Sequence, residues 1–373
     1  MKVEGWNFLL LLFLMKGEYV VYIKDGVCKM RTILWHVDNR NIKAAGQMLV
    51  DGEVVAFPTE TVYGLGANAF DDEAVDKIFK AKGRPSDNPL IVHIADLSML
   101  HDIVTDVSAE AYKLMEVFWP GALTIVMQKK EESRLARAVT ANLDTVGVRV
   151  PCHTVARSLI RSAGVPLAAP SSNISGRPSP TTAKHVLEDL DGHIAGVVDG
   201  GTTNVGLEST VIDCSVRPPV VLRQGGVTIE QLQACIGEVV VADEHDAGSH
   251  DGPRAPGMKY AHYAPKATFQ LVDGSSVFLQ KQIDEAKRSG KRVGVLTVSE
   301  REQLYEADAV VASGSEEDLA TVAEALYDSL RKFDHLHVDV IFGETFTEAG
   351  IGRAIMNRLR KAAGHVVIVE GQV

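Results

Sequence analysis

The stretch from Phe57 to His93, FPTETVYGLGANAFDDEAVDKIFKAKGRPSDNPLIVH, constrains the fold more than any other part of the chain. An apolar run from Glu53 to Phe57 ends at Pro58. Proline has no N–H to give a sheet ladder, so a strand stops there. Thr59, Glu60, Thr61, Tyr63, Gly64 and Gly66 follow as a polar, glycine-punctuated loop. Small hydroxyls and glycines after a strand let backbone approach a ligand closely, and the same composition suits an ordinary strand-to-helix turn. Ala74, Val75, Ile78 and Phe79 then recur at helical spacing. Asp71, Asp72 and Glu73 lead that helix, Lys77, Lys80 and Lys82 trail it, and Gly83 is placed as its C-terminal cap. Lys77 and Lys80 read as surface charges. Lys82 and Arg84 flank the glycine and lead into the stiff polar loop Pro85-Ser86-Asp87-Asn88-Pro89, before a strand from Leu90 to Ile94 that holds His93. Two cations with a hydroxyl and an amide on a rigid loop point to an anion site, most simply for a polyphosphate. The sequence contains no GxxxxGK[ST], so this is not a Walker P-loop.

Length and charge narrow the class. The chain has 373 residues, 46% hydrophobic and 23% charged, a globular composition with room for two domains. A formal net charge of −11 gives no global basic field toward nucleic acid or an anionic membrane, so any RNA contact needs a local patch. Cys28, Cys152, Cys214 and Cys235 lie far apart with no CxxC pair to suggest zinc. A reducing cytoplasm is their simplest setting, each a small core hydrophobe. Residues 1–31 stand apart as an extension. Phe8 to Met15 is apolar but shorter than the roughly 20 residues that span a bilayer, and no signal-peptide pattern accompanies it. Either an upstream mis-assigned start, with Met30 the natural initiator, or a membrane-surface anchor accounts for it.

Along the chain, a helix is expected from Asp38 to Val50 on the stripe Ile42, Ala45, Met48 and Leu49. Ser108 opens another through Phe118, and Leu123 to Met127 is a strand. Thr145 to Val150 alternates as a strand holding Arg149, and His153 to Ser162 is a helix. Pro166 to Pro170 is a short strand that ends in the polar turn Ser171, Ser172, Asn173, Ser175 and Gly176. Ligands of open α/β sheets sit beyond strand carboxyl ends, so this turn and the Thr59 loop are candidates to face one crevice. A plain capped turn is the competing reading. Thr181 is placed to cap a helix through Leu190. Strands follow at Ala195 to Gly201, from Glu208 to Cys214, and at Val220 to Arg223, then a helix from Thr228 to Ile236. This irregular alternation predicts an α/β domain with a twisted, mixed sheet over residues 32–238.

Residues 239–266 lose apolar periodicity and read as a linker. Its end is different: Lys259, Tyr260, His262 and Tyr263 form an aromatic, basic cluster between Pro256 and Pro265. Such a cluster suits a segment lying over the mouth of the crevice, from Met258 to Pro265, or one packed on a second domain. Residues 267–373 alternate strands, at Thr268 to Val272, Arg292 to Val298, Ala309 to Ala312, Val338 to Phe342 and His365 to Val369, with helices. One helix, Glu316 to Phe333, is expected to be capped by Ser315 with Asp318. The pattern predicts a smaller, Rossmann-like parallel sheet. No GxGxxG is present, so a dinucleotide is not indicated.

PTETVYGLG followed by KGRPSDNPL resembles the YrdC-like domain of threonylcarbamoyl-AMP synthases. GVRVP, APSSNISGRPSPT, and GLESTVID with VLRQGG extend the resemblance in order, and PGMKYAHYAPKA is similar to the linker of the two-domain form. The likeness runs from about Thr32 to the C-terminus. It implies an enzyme that makes threonylcarbamoyl-AMP and pyrophosphate from ATP, L-threonine and bicarbonate, the first step of a tRNA modification. It implies that Thr61, His93, Arg149, Ala169 and Ser209 surround threonine. Arg84, Asn88, Thr145, Ser171, Asn173, Ser179, Arg223 and Tyr263 would surround ATP, with Lys82 a further phosphate contact. Lys82 and Arg84, with Mg²⁺ carried by ATP, would offset the triphosphate charge, and no protein-ligated metal is expected. An arginine within a strand otherwise serves the solvent face or an ion pair, so Arg149 has that reading too. The adenylate would pass to a downstream tRNA threonylcarbamoyl-transferring complex, with weak tRNA binding and no membrane contact. An alternative is an RNA-binding module of such a complex with no adenylation activity, which the acidic balance disfavours. A carbamoyl-transferring relative is a third reading, but the zinc-finger and acylphosphatase-like regions it would carry have no counterpart here.

Overall fold

A computed structural model describes residues 21–24, 27–242 and 263–372, with backbone alone for 21–30. Strands β1 (Val21–Lys24) and β2 (Val27–Met30) form an antiparallel ribbon. The first large sheet contains β3 (Ile33–His36), β4 (Val55–Phe57), β5 (Gly64–Asn68), β6 (Val92–His93), β7 (Leu123–Gln128), β8 (Thr145–Arg149), β9 (Leu167–Ala168), β10 (Gly196–Asp199), β11 (Thr210–Asp213), β12 (Val220–Arg223) and β13 (Val240–Val241). Their order is β13-β12-β11-β7-β8-β6-β9-β5-β4-β10-β3. Parallel pairs such as β3 with β10 and β7 with β11 mix with antiparallel pairs such as β7 with β8, so the sheet is mixed as expected. It runs on to Val241, inside the stretch that composition assigned to the linker.

The second sheet is parallel throughout, in the order β16 (Ala309–Ala312), β15 (Val293–Thr297), β17 (Val340–Glu344), β14 (Thr268–Asp273), β18 (Val367–Val369). The Ser276–Arg288 helix covers one face, and the Leu319–Leu336 and Gly352–Ala362 helices cover the other. That second face also meets the first domain: Val62 and Leu207 share a buried cluster with Phe269, Leu326, Tyr327 and Met356. This shared apolar surface is removed from water where the two domains meet. Among the described residues no helix is long and apolar enough to cross a membrane.

Four local expectations need correction. The glycine-rich run after Pro58 is a turn only as far as Tyr63: Gly64 to Gly66 pair antiparallel with β4, Val55 lying opposite Gly66, and Ala67 and Asn68 pair with β9. The glycine there serves packing, since a Cβ on Gly66 would come within 2.7 Å of the Phe57 ring. The strand after Pro89 is only Val92–His93. Thr182, not Thr181, caps the Ala183–Leu190 helix, accepting from the His185 N–H. Asp318 caps a helix that begins at Leu319, while Ser315 donates to Glu300 instead. In both capping errors the nearby hydroxyl had the right chemistry, but tertiary contacts drew it elsewhere or moved the start by a turn's fraction.

Candidate active site

One cleft gathers the ends of several strands of the first sheet. Its walls are Thr59, Thr61, Val62 and Gly64 around the β4–β5 turn, Ile91 and His93 at β6, Arg149 at β8, Ala169 to Ser171 and Asn173 after β9, then Ser179, Glu208, Ser209, Arg223 and Tyr263. The turn between β4 and β5 is buried, so its polar groups are satisfied internally. Thr59 Oγ1 donates to the Val62 carbonyl at 2.6 Å, which leaves it to accept from Thr61 Oγ1 at 2.8 Å. Thr61 Oγ1 in turn accepts from Arg149 Nη1 at 3.0 Å.

Arg149 is fixed on three sides. Nη2 donates to Glu60 at 2.5 Å and Nε to the Gly121 carbonyl at 3.1 Å, with Thr61 the third partner. Burial by itself would raise the Glu60 pKa, but the charge and hydrogen bond of Arg149, with the Cys152 N–H, more than offset this and hold it below the usual carboxylate range. A guanidinium has five N–H groups, so the fork keeps capacity for a ligand carboxylate. His93 is buried beside it, and burial with the nearby Arg149 charge lowers its pKa to about 3. The ring is therefore neutral at physiological pH. Nδ1 faces the Ile91 carbonyl at 3.2 Å, which can only accept, so Nδ1 carries the proton and Nε2 is an acceptor.

The other end of the cleft is richer in cations. Arg84 is buried, lies over the Phe79 ring and donates to the Asn88 carbonyl at 3.1 Å. Arg223 holds the Ser209 carbonyl through Nε at 3.1 Å and Nη2 at 3.0 Å. Ser209 Oγ also meets Thr124 Oγ1 at 2.8 Å, and Ser179 Oγ donates to Glu208 at 2.7 Å. Tyr263, with a left-handed φ of 70°, is buried on the cleft wall and stacks on Tyr327 of the second domain, ring centres 5.2 Å apart. It thus lines the cleft and packs on the second domain at once. Lys259, Tyr260 and His262, and most of the segment expected to cover the mouth, lie outside the described residues.

Three residues singled out from the sequence stand off the cleft wall. Lys82 ends the Asp72–Lys82 helix with Nζ turned onto the carbonyls of Ser171 at 2.5 Å and Asn173 at 2.6 Å. It braces the polar turn from behind, and burial with the adjacent Arg84 charge lowers its pKa to about 7. Asn88 is fully buried. Thr145 begins β8 and faces a separate small cavity with Leu90, Thr124 and Val146. Glu60 and Glu208 were missed as functional groups. A buried arginine in a strand was the signal for the first, because such a cation needs an acid.

The cleft has a volume of about 70 Å³. A larger groove of about 800 Å³ lies between β3 and the Asn39–Val50 helix, lined by Trp35, Asp38, Arg40 and Asp191. It contains none of the expected residues, and its charged groups are solvent-exposed side chains, so the smaller cleft with its buried charges is the candidate site.

Comparison with known proteins fits this geometry. A family model described as "Telomere recombination" matches residues 47–225, and one described as "Threonylcarbamoyl-AMP synthase, C-terminal domain" matches residues 227–364. A threonylcarbamoyl-AMP synthase of Bacillus subtilis is 52% identical over 347 residues, covering 91% of this chain and all of the relative. The Pyrococcus abyssi enzyme of the same name is 46% identical, covering 89% of this chain and 96% of that protein. The crystal structure of Pyrococcus abyssi Sua5 complexed with L-threonine superposes with a TM-score of 0.84 at 45% identity, over 91% of this chain and 98% of the other.

Proposed function

The chain belongs to the two-domain threonylcarbamoyl-AMP synthases, and from this membership and the cleft we infer that it converts L-threonine, bicarbonate and ATP to threonylcarbamoyl-AMP and pyrophosphate. The observation that carries the reading is one cleft lined by Arg149 and neutral His93 together with Arg84 and Arg223. The first pair suits an amino acid's carboxylate and hydroxyl, and the second suits phosphates.

The reaction needs two steps. The threonine amine condenses with bicarbonate to a carbamate, releasing water. A carbamate oxygen then bonds to the α-phosphorus, and the bond from that phosphorus to the β-phosphate oxygen breaks, with pyrophosphate taking the electron pair. Arg149, held by Glu60 and Thr61, is assigned to the threonine carboxylate, and His93 Nε2 to accept from its hydroxyl. Thr61, Ala169 and Ser209 complete that end. Arg84, Ser171, Asn173, Ser179, Arg223 and Tyr263 are assigned to the nucleotide, with Lys82 bracing the Ser171–Asn173 turn beneath it. Asn88 and Thr145 enter the nucleotide set from the resemblance alone. No side chain is assigned as general base; holding carbamate and α-phosphate in line supplies much of the acceleration. Magnesium is proposed to arrive with ATP and to neutralise phosphate charge alongside Arg84. We further propose a cytoplasmic setting, on the scattered cysteines, and consumption of the adenylate by a tRNA-modifying transferase.

The test is pyrophosphate release by the purified full chain without RNA. It is expected to require L-threonine and bicarbonate together. Release independent of threonine contradicts the reading.

A further inference from the structure

The second domain reaches the cleft through one buried carboxylate. Glu208 precedes β11 and is 7% exposed. It accepts from Ser179 Oγ of its own domain at 2.7 Å. From the second domain, the Tyr327 hydroxyl stands 3.0 and 2.9 Å from its two oxygens, and Arg358 Nε donates at 3.0 Å. Tyr327 and Arg358 are themselves sealed from water. Both also hold Tyr263: Tyr327 stacks on its ring, and the Arg358 guanidinium lies 5.6 Å from the ring centre. The helix that carries Tyr327 bears directly on the chain beside Glu208. A Cβ on Gly206 would meet the Ala323 carbonyl at 2.3 Å and Glu324 Cα at 2.4 Å. The two domains are therefore in backbone contact two residues from Glu208.

Other ions also join the domains. Arg331 pairs with Asp189 at 2.8 Å, and Arg177 with Asp334 at 2.7 Å. None of these four lines the cleft, whereas Ser179, Glu208 and Tyr263 do. The Glu208 cluster has a different consequence if broken. Arg223, whose charge also acts on Glu208, holds the Ser209 carbonyl through Nε and Nη2. With Arg358 gone, the carboxylate would compete for that arginine and release Ser179.

We propose that Tyr327 and Arg358 are positioning residues for the nucleotide end of the cleft: by fixing Glu208 and Tyr263 they set Ser179 and Arg223 for ATP. This rests on the assignment of Ser179, Arg223 and Tyr263 to the nucleotide. The second domain thereby completes the active site without touching substrate.

The experiment compares Tyr327→Phe, Arg358→Met and Arg358→Lys in the full chain, with Arg177→Met as a control from the same interface. KM for ATP and for L-threonine and the melting temperature are measured for each. Arg358→Met and Tyr327→Phe are expected to raise the ATP KM about tenfold and leave the threonine KM within about twofold. Arg358→Lys recovers part of the loss by restoring charge. Arg177→Met lowers the melting temperature and leaves the ATP KM unchanged, since among the described residues its side chain holds only Asp189 and Asp334. Unchanged ATP KM in both Tyr327→Phe and Arg358→Met overturns the proposal, as does an equal ATP defect in Arg177→Met. Tyr327→Phe removes one hydroxyl and keeps the stack, so it decides the matter should Arg358→Met not fold. Ser179→Ala and Arg223→Met separate the two levels. If they weaken ATP and the second-domain variants do not, this proposal alone fails; if they leave ATP unaffected, the nucleotide assignment fails and takes the proposal with it.

Discussion

Arg149 donates to Glu60 at 2.5 Å with both side chains buried, and the same guanidinium reaches Thr61 at 3.0 Å. Stability and threonine binding are thus joined in one pair and can be separated. Arg149→Met leaves Glu60 buried without a cation, which costs about 3–5 kcal/mol. The double variant Glu60→Leu, Arg149→Met removes both charges and is expected to recover most of that stability in thermal unfolding. Calorimetry is expected to find no threonine binding in either. Threonine binding by the double variant would take Arg149 out of the site.

Arg84 projects from the loop after Gly83, whose left-handed φ of 62° ends the preceding helix. Arg84→Ala removes a cation, and with it the contact on the Phe79 ring and the hydrogen bond to the Asn88 carbonyl. Loss of a charge-assisted phosphate contact costs about 1.5–3 kcal/mol, so kcat/KM for ATP is expected to fall by about one to two orders of magnitude. The melting temperature is expected to fall by a few degrees with the lost packing, while the protein stays folded. Near-normal pyrophosphate release by a folded Arg84→Ala protein counts against an ATP role.

Neutral His93, with Nε2 as acceptor, predicts recognition of threonine's hydroxyl. A site that hydrogen-bonds a hydroxyl rejects the analogue lacking it far better than an apolar pocket rejects a methylene. Turnover of L-threonine is therefore expected to exceed that of L-2-aminobutyrate by a wide margin, and His93→Phe is expected to erase most of the difference. Equal turnover of the two amino acids by the wild type removes the assignment.

Much of this is legible in the sequence. Strand-ending Pro58, the Asp72–Lys82 helix with its Gly83 cap, and the parallel second sheet all follow from local rules of periodicity, capping and alternation. What was not legible depends on partners distant in sequence. Gly64 and Gly66 looked like loop glycines because the Phe57 ring that needs the space lies on the paired strand. Glu208 gave no local sign of its role, since Tyr327 and Arg358 come from the other domain. Lys82 read as a phosphate ligand because the Ser171 and Asn173 carbonyls that take its ammonium lie some ninety residues on.

The lysine has its own signature. Lys82 is held at about 7 against 10.5 for a free lysine. Between those values the unfolded chain binds a proton that the folded chain does not, so stability rises with pH across that window and this contribution is lost as pH falls toward 7. Melting temperatures of wild type and Lys82→Met at pH 7.5 and 9.5 test this. Relative to the variant, the wild type is expected to gain at the higher pH. A constant difference between them would mean that Lys82 keeps its proton throughout.

The central claim is that this cleft joins bicarbonate carbon, threonine and AMP in one molecule. Incubation of the purified chain with ATP, L-threonine and ¹³C-bicarbonate, followed by mass analysis, tests it most directly. The account predicts threonylcarbamoyl-AMP carrying one ¹³C, formed with one pyrophosphate. A threonyl adenylate without the label, or ATP cleavage with no adenylate at all, would contradict it.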